Sequence, residues 1–174
     1  MMRYVHCQWA AVVEAGVAVA VAAPVVFGVR GLPQVEGAAV AVLLALAGSS
    51  AFFGLVAVST RLTWLGGEKR DFESALTLSN PEAILPTRRE SLRRSFDGSF
   101  VVIVAVPSLL FGLFWDPWAI GLAVIFVPER IVKGVYLFFW ERRHGVLLWR
   151  GKVEEQPLGK EQSLYSSPRG ATAD

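Results

Sequence analysis

This sequence is poor in the residues from which most metal and redox sites are built. Its 174 residues include one cysteine, Cys7, and two histidines, His6 and His144, which lie far apart in the chain. One cysteine excludes an internal disulfide, and a structural zinc site needs more cysteine and histidine ligands than this chain supplies. We therefore predict no metal centre and no cofactor.

Charged residues are also scarce. They make up 18% of the chain, whereas hydrophobic residues make up 53% and the mean hydropathy is +0.46. A soluble domain has about 45–50% apolar and about 25% charged residues, so this composition predicts an integral membrane protein. The net charge of +2 is too small to indicate a nucleic-acid partner.

Catalytic motifs are missing from the sequence as well. Catalysis at a membrane surface normally needs a nucleophile with a base, a carboxylate cluster that holds a metal, or a glycine-rich loop that holds phosphate. None of these patterns is present in the sequence. We therefore expect a protein that is not an enzyme.

Four apolar segments dominate the chain, and we expect membrane-spanning helices at about 7–29, 37–58, 99–115 and 118–140. At about 1.5 Å per residue the last segment is about 34 Å long, slightly more than a hydrocarbon core of about 30 Å. The predicted fold class is an all-α integral membrane protein. It is a four-transmembrane-helix bundle over residues 1–150, with a cytoplasmic helical loop and an interfacial C-terminal segment.

The first apolar segment has a rival interpretation as a signal peptide. Ala20-Val21-Ala22 resembles a small-residue cleavage site. Glu14 inside the apolar region is unusual for a signal peptide, however, and the run continues to Val29. These features favour a membrane span.

Small residues recur every four positions in the second segment. The pairs are Ala47 with Ala51 and Ser50 with Gly54. This spacing is typical of helix faces that pack closely in lipid. We expect this face of the helix to be packed.

Three further stretches connect or follow these segments. The loop 59–97 contains two capping-box patterns, at Ser79 and Thr87, which predict helix starts. The stretch from Gly145 to Arg150 mixes apolar and basic residues and is expected to continue the last helix along the membrane interface. The tail 151–174 is rich in glycine, serine and proline and is expected to be disordered.

Arginines are concentrated at two places beside the apolar segments. They are Arg88, Arg89, Arg93 and Arg94 in the loop, with Arg142 and Arg143 after the last span. Such clusters favour contact with anionic lipid head groups. The alternative is a solvated loop that only obeys the positive-inside rule.

The distribution of basic residues predicts the orientation. The loop 59–97 holds seven of them and the stretch after Trp140 holds six, whereas the other two connections share only Arg30. By the positive-inside rule the loop and both termini are cytoplasmic. We expect a multi-pass protein of the cytoplasmic membrane.

Four charged residues fall within predicted spans: Glu14, Glu129, Arg130 and Lys133. An uncompensated charge at the centre of a helix costs at least about 2.5–3.5 kcal/mol, so these groups are expected to pair or face water. Matching depths make Lys133 or Arg130 the expected partner of Glu14. The cluster is then either a structural ion-pair network or the lining of a polar cavity. A third interpretation ends a re-entrant segment at Pro128 and leaves residues 129–133 at the interface.

We expect a small, non-enzymatic partner or regulatory subunit of a larger membrane assembly. Packed helix faces would contact a homo- or hetero-oligomeric membrane partner, and the basic elements would dock on lipid or protein. The alternative is a small oligomeric transporter or channel component that uses the Glu/Arg/Lys cluster.

Overall fold

The computed structural model describes residues 1–34, 37–62, 67–159 and 162–170, without the side chain of Arg88. The chain divides into two compact units. One consists of residues 11–54 and 97–131 and is here called the membrane unit. The other consists of residues 1–10, 55–96 and 132–174 and is here called the sheet unit.

Most of the described chain is helical. The helices are α1 Tyr4–Arg30, α2 Gly37–Ser59, α3 Lys69–Glu73, α4 Pro81–Ile84, α5 Arg88–Ser95, α6 Gly98–Phe114 and α7 Val127–His144, with a 3₁₀ helix at Pro117–Val124. Three helical stretches of the described chain are long and apolar enough to span a membrane: Tyr4–Arg30, Gly37–Ser59 and Arg89–Phe114. The helical membrane class predicted from composition is confirmed.

The last predicted span, 118–140, is not one continuous helix. The chain forms the 3₁₀ helix at Pro117–Val124, and α7 begins only at Val127. Pro128 lies in the first turn of α7, where its missing N–H removes no helical hydrogen bond. The proline therefore starts a new helix at a position where the length of the apolar segment predicts the middle of one.

Small residues set the packing inside the membrane unit. Ala18 of α1 packs with Val104 and Ala105 of α6 and with Ala123. A Cβ added at Gly54 would lie 3.0 Å from the backbone of Glu129, so a larger residue there would displace the helix that contacts α2. The packed face predicted for α2 is therefore confirmed at Gly54.

The sheet unit contains a four-stranded sheet that the sequence analysis did not predict. Its strands are β1 Met2–Arg3, β2 Leu76–Thr77, β3 Val146–Arg150 and β4 Tyr165–Pro168, in the order β1-β3-β4-β2. β3 is antiparallel to β1 and β4, and β2 is parallel to β4.

This sheet corrects two expectations about the end of the chain. Residues 146–150 do not continue α7 along an interface but form β3, because Gly145, with φ +68°, ends the helix. The tail expected to be disordered contributes β4, in which Tyr165 and Ser167 are each 1% exposed. The polar composition of the tail did not reveal this strand because its stability comes from pairing with β3.

Both faces of the sheet are covered by apolar side chains. Leu148 joins a cluster with Val5, Val58, Phe72, Leu137 and Leu164. Its neighbours Leu147 and Trp149 join a second cluster with Leu78, Val153 and Tyr165. Successive side chains of a strand point to opposite faces, so β3 supplies both clusters.

The predicted helix starts in the loop are correct in one case and displaced in the other. Thr87 caps α5, its hydroxyl accepting a hydrogen bond from the amide of Glu90 at 3.4 Å. α4 begins after Asn80, with no side-chain cap, one residue later than the Ser79 pattern predicts.

The positive-inside orientation yields a labelling prediction. In a Cys7→Ser background, cysteines introduced by Asn80→Cys and Glu155→Cys should be shielded from an impermeant thiol reagent in intact cells, while Gln34→Cys should be labelled. All three positions are exposed on the protein surface, so burial does not confound the comparison. Lysed cells provide the control in which all three react. Labelling of Asn80→Cys before lysis would contradict the predicted orientation and place the loop outside the cell.

The burial of β4 yields a stability prediction. Tyr165→Ala removes a large side chain from the second cluster and should lower the free energy of unfolding by about 3–5 kcal/mol. Tyr165→Phe loses only the hydrogen bond that the hydroxyl donates to the carbonyl of Gln156, 2.6 Å away, and should cost about 0.5–1.5 kcal/mol. Thermal unfolding in detergent, followed by tryptophan fluorescence, measures both. Equal, negligible losses would show that β4 is not part of the stable fold.

Candidate functional site

Glu14 is buried in α1 and is bound by a backbone amide. One carboxylate oxygen accepts a hydrogen bond from the amide of Asp97. Asp97 is also the N-cap of α6, where its own side chain accepts from the amide of Ser99 at 3.0 Å. Glu14 thus holds the start of α6 inside the membrane unit.

Lys133 has its partner in the loop that follows α2. Its Nζ lies 2.7 Å from Oε1 of Glu68, and Oε2 of the same carboxylate accepts from the hydroxyl of Tyr4 at 3.0 Å. The amide of Glu68 donates to the carbonyl of Ala57 at 2.7 Å. This group, here called the Glu68 bridge, ties α1, α2 and α7 together within the sheet unit.

The pair expected between Glu14 and Lys133 is therefore corrected, because Glu14 accepts from the amide of Asp97 and Lys133 pairs with Glu68. The pairing of Glu14 with Arg130 stays a prediction. Depth along an ideal helix can be compared only for residues inside the apolar runs. Glu68 lies outside these runs, so depth does not identify it as the partner of Lys133.

A local signal for the Glu68 bridge exists in Gly67. A Cβ at this position would lie 2.6 Å from the carbonyl of Thr60, so only glycine lets the chain fold back so closely at the end of α2. In this chain the glycine stands directly before Glu68, and the close approach at Gly67 brings the Glu68 amide to the carbonyl of Ala57 in α2.

The other two members of the predicted cluster face different helices. The side chain of Glu129 lies against α2, with its Cγ 3.1 Å from where a Cβ of Gly54 would be. Arg130 lines an apolar groove beside α6.

The predicted lipid-surface arginines lie on exposed surfaces. Arg89, Arg93 and Arg94 are exposed on α5, and Arg142 and Arg143 are exposed near the end of α7. The side chain of Arg88 lies outside the part of the chain that the structure describes. Leu92 and Phe96 are exposed beside these arginines, so the outer surface of α5 combines positive charge with apolar side chains.

The opposite face of α5 carries a buried polar contact that the sequence analysis missed. The Oγ of Ser91 accepts from the amide of Arg3 at 2.8 Å and lies 3.0 Å from Nδ1 of His6. Serine next to histidine has the chemistry of a nucleophile with a base. Ser91 is completely buried, however, so this contact fixes α5 against the start of α1.

A cleft at the end of α7 combines basic and aromatic side chains. It has a volume of about 370 Å³ and is lined by residues that include Lys69, Arg143, His144 and Trp140. The His144 ring stacks on Trp140 with centroids 4.2 Å apart. Glu73, also in the lining, receives a hydrogen bond from Arg61 at 2.8 Å, and this bond lowers the pKa of its carboxyl. Cations beside aromatic rings suit an anionic partner.

No protein-family model, curated protein or solved structure matches this chain. Its own geometry offers three features in the sheet unit: the Glu68 bridge, the basic surface of α5 and the cleft at the end of α7. The bridge is largely buried, whereas the surface of α5 and the cleft are open to a partner.

The Glu68 bridge yields a double-mutant prediction. Lys133→Met strands a poorly exposed carboxylate, and Glu68→Gln strands an ammonium group, so each should cost toward the lower end of about 3–5 kcal/mol. The double variant should lose clearly less than the sum. Glu14→Gln combined with Lys133→Met should be additive, because the two residues have different partners. Unfolding in detergent measures both cycles.

The exposed Arg61–Glu73 ion pair is the matched control, since its side chains are 67% and 38% exposed. Arg61→Met and Glu73→Gln should change stability little, singly or together. Additivity in the Glu68–Lys133 cycle, with coupling in the Glu14–Lys133 cycle, would restore the original pairing.

Proposed function

We propose that this chain is a small, non-enzymatic partner or regulatory subunit of a larger membrane assembly. Its apolar helices anchor it, and the sheet unit presents a basic docking surface on the cytoplasmic side. The observation that carries the proposal is the sheet, which gathers strands from the start of the chain, the long loop and the tail into one folded unit.

The sheet also supports four crossings of the membrane. Segments that pair in one sheet lie on the same side, so the chain between them crosses an even number of times. α1 and α2 supply two crossings between β1 and β2. Between β2 and β3, α6 supplies one crossing, so an even number requires one more. We assign this second crossing to the 3₁₀ helix followed by α7. Basic residues favour the cytoplasm for the sheet side.

The docking surface follows from the charges that remain open on the sheet unit. The exposed arginines of α5 and the cleft at the end of α7 present positive charge with apolar or aromatic neighbours. Such surfaces bind anionic head groups or an acidic protein segment. A folded surface on a membrane anchor is the arrangement that a partner subunit needs.

A transporter or channel component is the alternative proposal. It would use buried charges to move ions or protons. Support for it is weaker, because Glu14 is held by the Asp97 amide and Lys133 by Glu68. Groups bound in this way stabilise the fold without needing a solvent path.

The partner proposal predicts a defined complex. A tagged chain isolated from native membranes in mild detergent should retain another membrane protein, or a differently tagged second copy, at a fixed stoichiometry. Arg89→Glu with Arg93→Glu should reduce this recovery about tenfold, equivalent to about 1.4 kcal/mol, by reversing charge on the docking surface.

Lys152→Glu with Arg169→Glu is the matched control, because it makes the same charge change at exposed positions that are not on α5. Equal losses for both variants would mean that general charge, and not the surface of α5, determines association. The purified chain is also reconstituted alone in vesicles. Proton or solute flux under these conditions, with no partner recovered, would replace the proposal by the transporter alternative.

A further inference from the structure

The membrane unit contains an apolar groove of about 460 Å³. One wall is a single face of α6, whose lining residues recur every three or four positions from Phe100 to Phe111. Leu122, Phe126 and Arg130 contribute to the opposite wall. This volume is within the range of about 300–1,000 Å³ that is typical of small-ligand sites.

The two walls run in opposite directions. Near the C-terminal end of α6, a Cβ at Gly112 would lie 3.2 Å from the side chain of Ile120. Nearer the N-terminal end of α6, Val104 packs with Ala123. Continuing in the same direction brings Arg130 towards the Phe100 end. The Arg130 guanidinium therefore belongs to one end of a mainly apolar groove. Ser108 also lines it, and its hydroxyl donates to the carbonyl of Val104 at 2.7 Å.

The groove has the length of one lipid leaflet. Phe100 and Phe111 are eleven residues apart, which is about 17 Å along a helix and roughly half of a hydrocarbon core of about 30 Å. A flexible acyl chain fits a groove that is long, apolar and charged at one end. A transmembrane helix, about 10 Å wide and apolar along its length, offers no anionic group to the guanidinium at that end.

The neighbouring acid does not occupy the groove. The side chain of Glu129 lies against Gly54 of α2, whereas Arg130 is among the residues that line the groove beside α6. A guanidinium presents several N–H donors in a planar arrangement that matches a phosphate group. The chemistry at this end therefore favours an anionic phosphate ester.

We propose that this groove binds one acyl chain of an anionic membrane phospholipid, whose phosphate is held by the Arg130 guanidinium. The site is separate from the docking surface of the sheet unit, and lipid binding here does not depend on a protein partner. The bound lipid fills the space between α6 and the segment that returns from it.

The test is a lipid titration of the full chain in detergent, followed by native mass spectrometry. Dioleoyl phosphatidylglycerol is the anionic probe, and dioleoyl phosphatidylcholine has the same acyl chains with a zwitterionic head group. We expect one phosphatidylglycerol per chain to bind about fivefold or more tightly than phosphatidylcholine. Equal affinities for the two lipids would overturn the proposal.

Two pairs of variants separate the head-group and acyl parts of the site. Arg130→Gln should abolish the preference for phosphatidylglycerol and Arg130→Lys should keep part of it. Arg169→Gln, at an exposed position outside the groove and outside both arginine clusters, should change nothing. Ile103→Trp should fill the groove and weaken binding of both lipids. Val102→Trp is its matched control, because Val102 is exposed on the same helix but does not line the groove.

Ile103 is 66% exposed and Val102 is 58% exposed, so neither tryptophan disturbs the core and both proteins should fold. If Arg130→Gln does not fold, the two tryptophan variants still test whether the acyl chain binds in the groove. Arg130→Lys then tests whether the guanidinium holds the head group. Unchanged lipid binding in Ile103→Trp would overturn the groove as the site. Unchanged preference in a folded Arg130→Gln protein would overturn the role of the guanidinium.

Discussion

The sheet unit depends on one buried carboxylate near the end of α7. Glu141 is 2% exposed, and its two oxygens accept hydrogen bonds from the guanidinium of Arg3 in β1 and from the amide of Leu148 in β3. A buried carboxylate is tolerated only where such partners satisfy it, because removing its water costs several kcal/mol. The end of α7 is therefore fixed to two neighbouring strands of the sheet, and β4 and β2 pair outward from that position.

Buried ionic groups define both units of the protein, but they do so through backbone amides and loop residues more than through helix-to-helix pairs. Glu14 fixes the start of α6, and the Glu68 bridge joins three helices near the sheet. Each of these carboxylates has its partners within its own unit. The charges left exposed on the sheet unit are mainly those of arginines, so the interior and the surface use ionic side chains for different purposes.

The sequence predicts elements that depend on neighbouring residues, but it does not predict contacts between residues that are far apart in the chain. α1, α2 and α6 follow from continuous apolar runs, and the cap of α5 from the spacing of Thr87 and Glu90. The sheet could not be predicted because its strands have two to five residues and pair across the whole chain, as Met2 does with Arg150. The burial of Glu14 and Lys133 was predictable from their place in apolar runs. The partner of Lys133 was not, because Glu68 reaches it through a chain reversal that hydrophobicity does not encode.

The strand order has a consequence for biosynthesis. β4 lies inside the sheet, between β3 and β2, yet a ribosome makes it after the other three strands. Until it emerges, β2 has no neighbour to pair with, and β3 has an open edge together with apolar side chains that β4 later covers. The helices can enter the membrane as they are made, but the sheet closes only after its last strand is released. A nascent chain that stalls before Tyr165 therefore exposes an incomplete, aggregation-prone edge.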